Sequence, residues 1–147
     1  MANQNSENPY VGRKFQEIVK STLEKEFNTP FEQEVAIPIG KPAKDHKFDL
    51  ANENWSIVAE CKCYTWTDSG NVPSAKLMGL DEAVFYFGFL PPETKKLLCM
   101  KKAEHRGKQE TLAEYYVRAH GNLLKDVFVY EFADDGTMRE IRNGAVV

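Results

Sequence analysis

The chain has 147 residues, 42% of them hydrophobic and 28% charged, with a formal net charge of −3. That length and balance suit one globular domain with its own core and exclude a disordered chain; the most apolar run, 83–90, is too short to cross a bilayer. A slightly acidic chain does not hold nucleic acid by bulk electrostatics, which leaves a local patch or a metal-bridged contact for such a partner.

The opening stretch "MANQNSENPY" is polar and lacks an apolar signal core, so export is not expected. Three cysteines, two of them spaced as Cys61-x-Cys63, make a poor disulfide framework. The expectation is one domain over 1–147, with a core over about 10–133 and peripheral ends, in a reducing cytoplasmic setting without membrane association.

In chain order, residues 10–27 place Phe15, Ile18, Val19, Leu23 and Phe27 at helical spacing, and Pro30 marks a break. Residues 33–39 alternate Val35, Ile37 and Ile39 as a strand, with Pro38 pointing to an edge. "KFDLA" and "WSIVAECKCY", separated by "NEN", read as an antiparallel hairpin. The loop "TDSGNVP" leads to Ser74 as N-cap of a helix over 75–87, apolar almost all round and so expected to be deeply packed. "KKLLCMKK" reads as a strand covered on both faces. Residues 108–121 read as a helix with Leu112, Tyr116 and Ala119 inward and Gly121 as its stop. A final buried strand follows at 126–133, and the tail from Asp134 is expected to fray or form a weak hairpin. Strand–helix–strand steps in one sheet are parallel crossovers, so the expected fold class is α/β, a three-layer sandwich around a mixed sheet.

One group of residues carries chemistry. Glu60 and Lys62 are two apart on a strand and share a face, ~7 Å apart, while Ala59, Cys61 and Cys63 point the other way. A register that pairs the vicinity of Asp49 with that of Glu60 brings Asp49, Glu60 and Lys62 onto one polar face. It also aligns Phe48 and Leu50 with Ala59 and Cys61 in the core. Two such carboxylates repel unless a cation lies between them, and hard oxygen donors suit Mg²⁺ or Mn²⁺. A lysine beside that ion can orient a water or offset charge on a phosphoryl group. Taken alone, Glu-x-Lys is also what a surface ion pair looks like, worth at most ~1 kcal/mol.

The Asp49…Glu60-Cys61-Lys62 arrangement, on a hairpin between a first helix and a helix–strand crossover, resembles the PD-(D/E)XK nuclease superfamily over roughly residues 10–133. The resemblance implies a restriction-endonuclease-like core of helix, three strands, helix and strand. It implies metal held by Asp49 and Glu60 with help from the Cys61 carbonyl, and Lys62 assisting the nucleophile or transition state. Phe48 stands where that family often has proline. The family also often adds a helix glutamate; here the matching position is Gln16 or Glu17, about 100° apart on the helix, and Glu17 is taken as the fourth catalytic residue. The expected activity is Mg²⁺-dependent hydrolysis of phosphodiester bonds, of DNA first. The alternative is an inactive module of the same fold that binds nucleic acid or protein.

Residues 95–108 hold six Lys/Arg against one Glu, and Lys101, Lys102, Arg106 and Lys108 are expected to touch phosphates. Lys76 is expected to do the same near a helix N-terminus. Tyr64 and Trp66 follow the motif strand and either stack on bases or pin the loop. Cys61, Cys63 and Cys99 are assigned to the core rather than to zinc. His46 lies near Asp49 in sequence, and His120 suits a helix C-terminus. No Gly-rich phosphate loop follows a strand, which sets a nucleotide-using enzyme aside. One domain that cuts both strands of a duplex needs a homodimer or two visits.

Overall fold

The computed structural model describes residues 8–142. Helix α1 (Pro9–Phe27) begins where the Asn8 side chain accepts a hydrogen bond from the Tyr10 N–H, with Pro9 in the first turn where no donor is lost. It ends at Asn28, in the left-handed conformation at φ 53°. Then come β1 (Phe31–Ile39), β2 (Lys44–Asn52), β3 (Ile57–Lys62), α2 (Ser74–Phe87), β4 (Lys95–Lys101), α3 (Leu112–His120), a 3-10 turn (Gly121–Leu123), β5 (Val127–Phe132) and β6 (Met138–Ile141).

The strands form one mixed sheet in the order β1-β2-β3-β4-β5-β6. Its first three strands are an antiparallel meander, β3, β4 and β5 run parallel, and β6 turns back antiparallel. The crossovers through α2 and α3 advance in the same direction along the sheet, so connections of one hand place both helices on one face. Leu77, Leu80, Leu112 and Tyr116 pack there with Leu98 and Met100 of β4. On the other face Phe15, Val19 and Leu23 of α1 pack on Leu50, Ala59, Leu97 and Cys99. Fully burying side chains of this kind stabilises by about 1.5–3 kcal/mol each. Strand β4 is buried over Lys96–Met100, as expected of a strand with a helix on either face. The molecule is thus α/β, with helices on both sides of an open sheet.

Several boundaries differ from the sequence expectation. Ser74 lies inside α2, whose N-cap is Pro73 with no side-chain cap bond. Although α2 is apolar nearly all round, it meets the sheet with one face only, so Met78 and Phe85 are left 69% and 63% exposed. Helix α3 starts later than 108, because Thr111 and Glu114 form a capping box. Ala113 and Val117 take the inward positions and Ala119 is exposed. Gly121 keeps right-handed dihedrals and runs on into the 3-10 turn instead of stopping the helix. Of the two outcomes read for the tail, the hairpin is the one found, with β6 antiparallel to β5. Gly136 (φ +90°) turns the chain into β6, and its carbonyl accepts from Thr22 Oγ1 of α1 at 3.1 Å. The tail beyond Arg142 lies outside the described residues.

No helix among the described residues is long and apolar enough to cross a membrane.

Candidate active site

The centre of the site is a place where the sheet changes face. Gln33 pairs with Leu50 and Val35 with Phe48, so one register runs through the β1–β2 ladder with no residue inserted. Between these pairs lie Glu34, at φ +56°, and Asp49. On one side of this step Phe31 and Leu50 pack under α1; on the other Val35, Ile37 and Phe48 pack under α2. The left-handed step at Glu34 rolls the strand pair over. This corrects the alignment expected from alternation. Leu50 joins Ala59 and Cys61 on the α1 side, but Phe48 goes to the opposite core, its ring stacked 6.0 Å from that of Phe87.

The β2–β3 ladder pairs Leu50 with Ala59, so the next residues along the two strands are Asp49 and Glu60. At that point carboxylates replace main-chain acceptors. The Asp49 N–H donates to Glu60 Oε1 at 2.8 Å, and the Cys61 N–H donates to Asp49 Oδ2 at 2.8 Å. The two side chains thus cross between the strands, each accepting from the main chain of the other strand. Glu60 is buried, at 8% exposure, and Asp49 is half-buried.

Burial raises the Asp49 carboxyl above its ordinary range; the Cys61 N–H works against that rise and the charge of Glu34 adds to it. Burial, followed by the charge of Asp49, pushes Glu60 up to about 8. The charge of Lys62 works against both rises. The Lys62 Nζ lies 5.9 Å from the centre of the Tyr64 ring, and Lys76 Nζ from α2 lies 5.8 Å from the same ring. Tyr64 packs against α2 at Gly79: a Cβ there would stand 2.7 Å from the Tyr64 hydroxyl, so the ring would have to shift. The structure therefore brings Asp49, Glu60, Lys62 and Lys76 to one end of β3.

Glu17 is not part of this group. The phase of α1 turns it out to the exposed surface, and Gln16 faces the sheet instead. The Gln16 amide donates to Glu34 Oε2 at 2.9 Å, to Gln33 Oε1 at 3.0 Å and to the Asp49 carbonyl at 3.5 Å. Sequence reasoning missed Glu34 altogether. Its only mark in the sequence is a polar position in an alternating strand, and nothing in that pattern announces a left-handed step.

The side chains of Cys61, Cys63 and Cys99 face α1, and burial pushes the Cys61 thiol up. Among the described residues no three His, Cys, Asp or Glu side chains are grouped to ligate one ion. His46 stacks on Tyr86 of α2 at 3.8 Å; burial pushes its imidazole down, opposed by the charges of Glu82 and Asp49. His120 pairs with Asp81 across α2 and α3, and the Tyr116 hydroxyl donates to the same carboxylate at 2.8 Å.

The basic segment is divided between two faces. Lys101 borders a cleft on the α1 side with Lys14 and Cys63. Lys102, Arg106 and Lys108 line a different cleft of about 600 Å³, together with Arg139 and with Glu104, Glu110 and Glu114. Trp66 is buried and its indole N–H donates to the Ala103 carbonyl at 3.1 Å, which pins the loop after β3 to the start of this segment. Lys108 sits over the Trp66 ring at 5.1 Å.

Comparison of the chain with protein-family models, with curated proteins and with solved structures gave no match.

Proposed function

We propose that the chain is a metal-dependent nuclease of the PD-(D/E)XK kind, with a restriction-endonuclease-like core, acting on phosphodiester bonds of DNA. The observation that carries this reading is the crossed Asp49–Glu60 pair with Lys62 beside it, at the end of the strand where the β2–β3 ladder stops. A hard divalent cation fits the donor set. Two carboxylates, both pushed up by burial, are held together with Lys62 partly offsetting them, and a cation between them relieves that repulsion.

Asp49 and Glu60 would hold Mg²⁺ or Mn²⁺, with the Cys61 carbonyl as an added donor. When bound, such an ion supplies Lewis-acid activation of water and of the phosphoryl group. Lys62, whose charge acts on both acids, would offset negative charge gathering on the phosphoryl oxygens or take part in proton transfer at the attacking water. Lys76, across the Tyr64 ring from Lys62, is placed to meet an adjacent phosphate of the same strand. Lys102, Arg106 and Lys108 extend the contact along the backbone.

The test is cleavage of several DNA forms with and without divalent metal. Wild-type protein should cut only with Mg²⁺ or Mn²⁺, and the metal should raise its melting temperature. Asp49→Asn should lose both effects. Lys62→Ala should keep metal affinity while hydrolysis falls by about 10²–10⁴. DNA binding with no metal-dependent cleavage would assign the chain to the inactive binding module instead. A Lys62→Ala protein that cuts at the wild-type rate would remove that side chain from the mechanism.

A further inference from the structure

Among the described residues three ordinarily charged side chains are buried: Glu60, Lys96 and Glu131. Glu60 belongs to the site above, and Glu131 pairs with Arg139 at 2.7 Å. Lys96, at 6% exposure, has no acid paired with it among the described residues. Its Nζ donates to the Pro91 carbonyl at 3.1 Å. The other two of an ammonium's three donors have no partner among the described residues. Burying a cation with no counter-charge is costly, and lysine is seldom buried unless something answers it.

Lys96 also borders a cavity of about 290 Å³, close to the ~300 Å³ at which small-molecule sites begin. Val84, Phe87, Leu90 and Val127 give the cavity apolar walls, and Lys125 and Asp126 line it where the chain is exposed. Lys96 pairs with Val58 and Val127 near the starts of the parallel strands, and Phe87 ends α2. The cavity thus lies at the opposite end of the sheet from Lys62, and the chemistry of Asp49 and Glu60 makes no use of it.

We infer that this cavity binds a small organic carboxylate, its anionic group on Lys96 and its apolar body against Val84, Phe87, Leu90 and Val127. The walls call for a hydrocarbon or aromatic body, because they offer such a ligand contact and exclude water from it. The charges call for a monoanion: one buried ammonium answers a single negative group, whereas Asp126 on the same cavity repels a dianion such as phosphate. A carboxylate would accept the donors that Pro91 leaves unspent and supply the missing counter-charge. Lys96 acting only as a prop for the turn at Pro91 would need neither the cavity nor an anion.

The experiment is a ligand-observed NMR titration of the full chain with sodium benzoate. Benzyl alcohol serves as the neutral counterpart, and inorganic phosphate as an anion without an apolar body. Benzoate should bind one-to-one, and the other two probes about 10-fold or more weakly, the scale of one charge-assisted hydrogen bond. Lys96→Met keeps an unbranched apolar side chain and removes the charge. It should lose benzoate affinity to the same extent, with a melting temperature level with wild type or higher. Leu123→Trp, at an exposed position on the cavity wall, should weaken benzoate binding by narrowing the space. Lys95→Met, on the other face of the strand beside Phe27 and Phe128, should bind benzoate as wild type does. No benzoate binding at millimolar concentration, equal binding of benzyl alcohol, or tighter binding of phosphate would overturn the inference. Wild-type affinity in Lys96→Met would do so too. If that variant does not fold, undiminished binding in Leu123→Trp would overturn it instead. The titration uses neither metal nor DNA, so its outcome is separate from that of the nuclease reading.

Discussion

Glu60 carries an acid–base consequence that can be measured without any substrate. Its carboxyl is pushed from an ordinary 4.5 up to about 8 in the folded chain, by burial first and then by Asp49. Between those two values the folded state holds a proton that the unfolded chain has already released. The stabilisation is therefore fully present below pH 4.5 and is lost as pH rises through about 8. Asp49 shifts in the same direction and adds to the trend. In chelator, denaturant unfolding should show wild-type stability falling over this interval relative to Glu60→Gln. That variant keeps an oxygen to accept from the Asp49 N–H and has no proton to lose. Parallel stability curves for the two proteins would show that the pair is not under the repulsion described here.

At the scale of elements, the approach of α2 to the loop after β3 depends on one missing methyl group. Gly79 admits the Tyr64 hydroxyl, and the Tyr64 ring lies near both Lys62 and Lys76. Gly79→Ala should gain up to about 1 kcal/mol of helix propensity, offsetting the contact it disturbs. Its melting temperature should therefore change little, whereas metal-dependent cleavage should fall severalfold because the two ammonium groups lose their common support. Unchanged cleavage would make Tyr64 a packing residue only. The end of α1 at Phe27 before the break at Pro30, the hairpin and both crossovers could be read from the sequence, because their signals are local. The roll of β1 and β2 could not be read that way. Phe31, Val35 and Ile37 all have odd numbers, so alternation places them on one face, while the left-handed step at Glu34 sends Phe31 to the other. The choice between Gln16 and Glu17 stayed open in the sequence for the same kind of reason. Gln16 and Glu17 differ by one helical step, and only the packed phase of α1 decides between them.

For the whole molecule, net charge understates what the surface offers and the basic run overstates it. Strand alternation sends Lys101 toward α1 while Lys102, Arg106 and Lys108 share a cleft with three glutamates. Replacing Arg106 and Lys108 with glutamine should weaken DNA binding alike for all sequences. It should also lower the slope of log affinity against log salt by about 1–2, near 0.9 per lost phosphate contact. Lys101→Gln should have a smaller effect. A salt slope unchanged by the double replacement would return the cleft to ordinary solvated surface. Element order carried the α/β class and composition the absence of an overall basic charge, but neither could show how a sheet sorts neighbouring lysines onto opposite sides.

The crossed hydrogen bonds of Asp49 and Glu60 also bear on how an activity of the proposed kind would be lost over time. Each acid stands in for a main-chain carbonyl, so a descendant chain that abandoned hydrolysis would still need both to close the gap between β2 and β3. The pair carries the nuclease reading only together with Lys62, since the two acids by themselves also serve the backbone. Lys62 props up no backbone group in this way, and drift is free to erase it once the chemistry has ceased to matter. That single ammonium, more than the two carboxylates, is where an active lineage and a retired one would diverge.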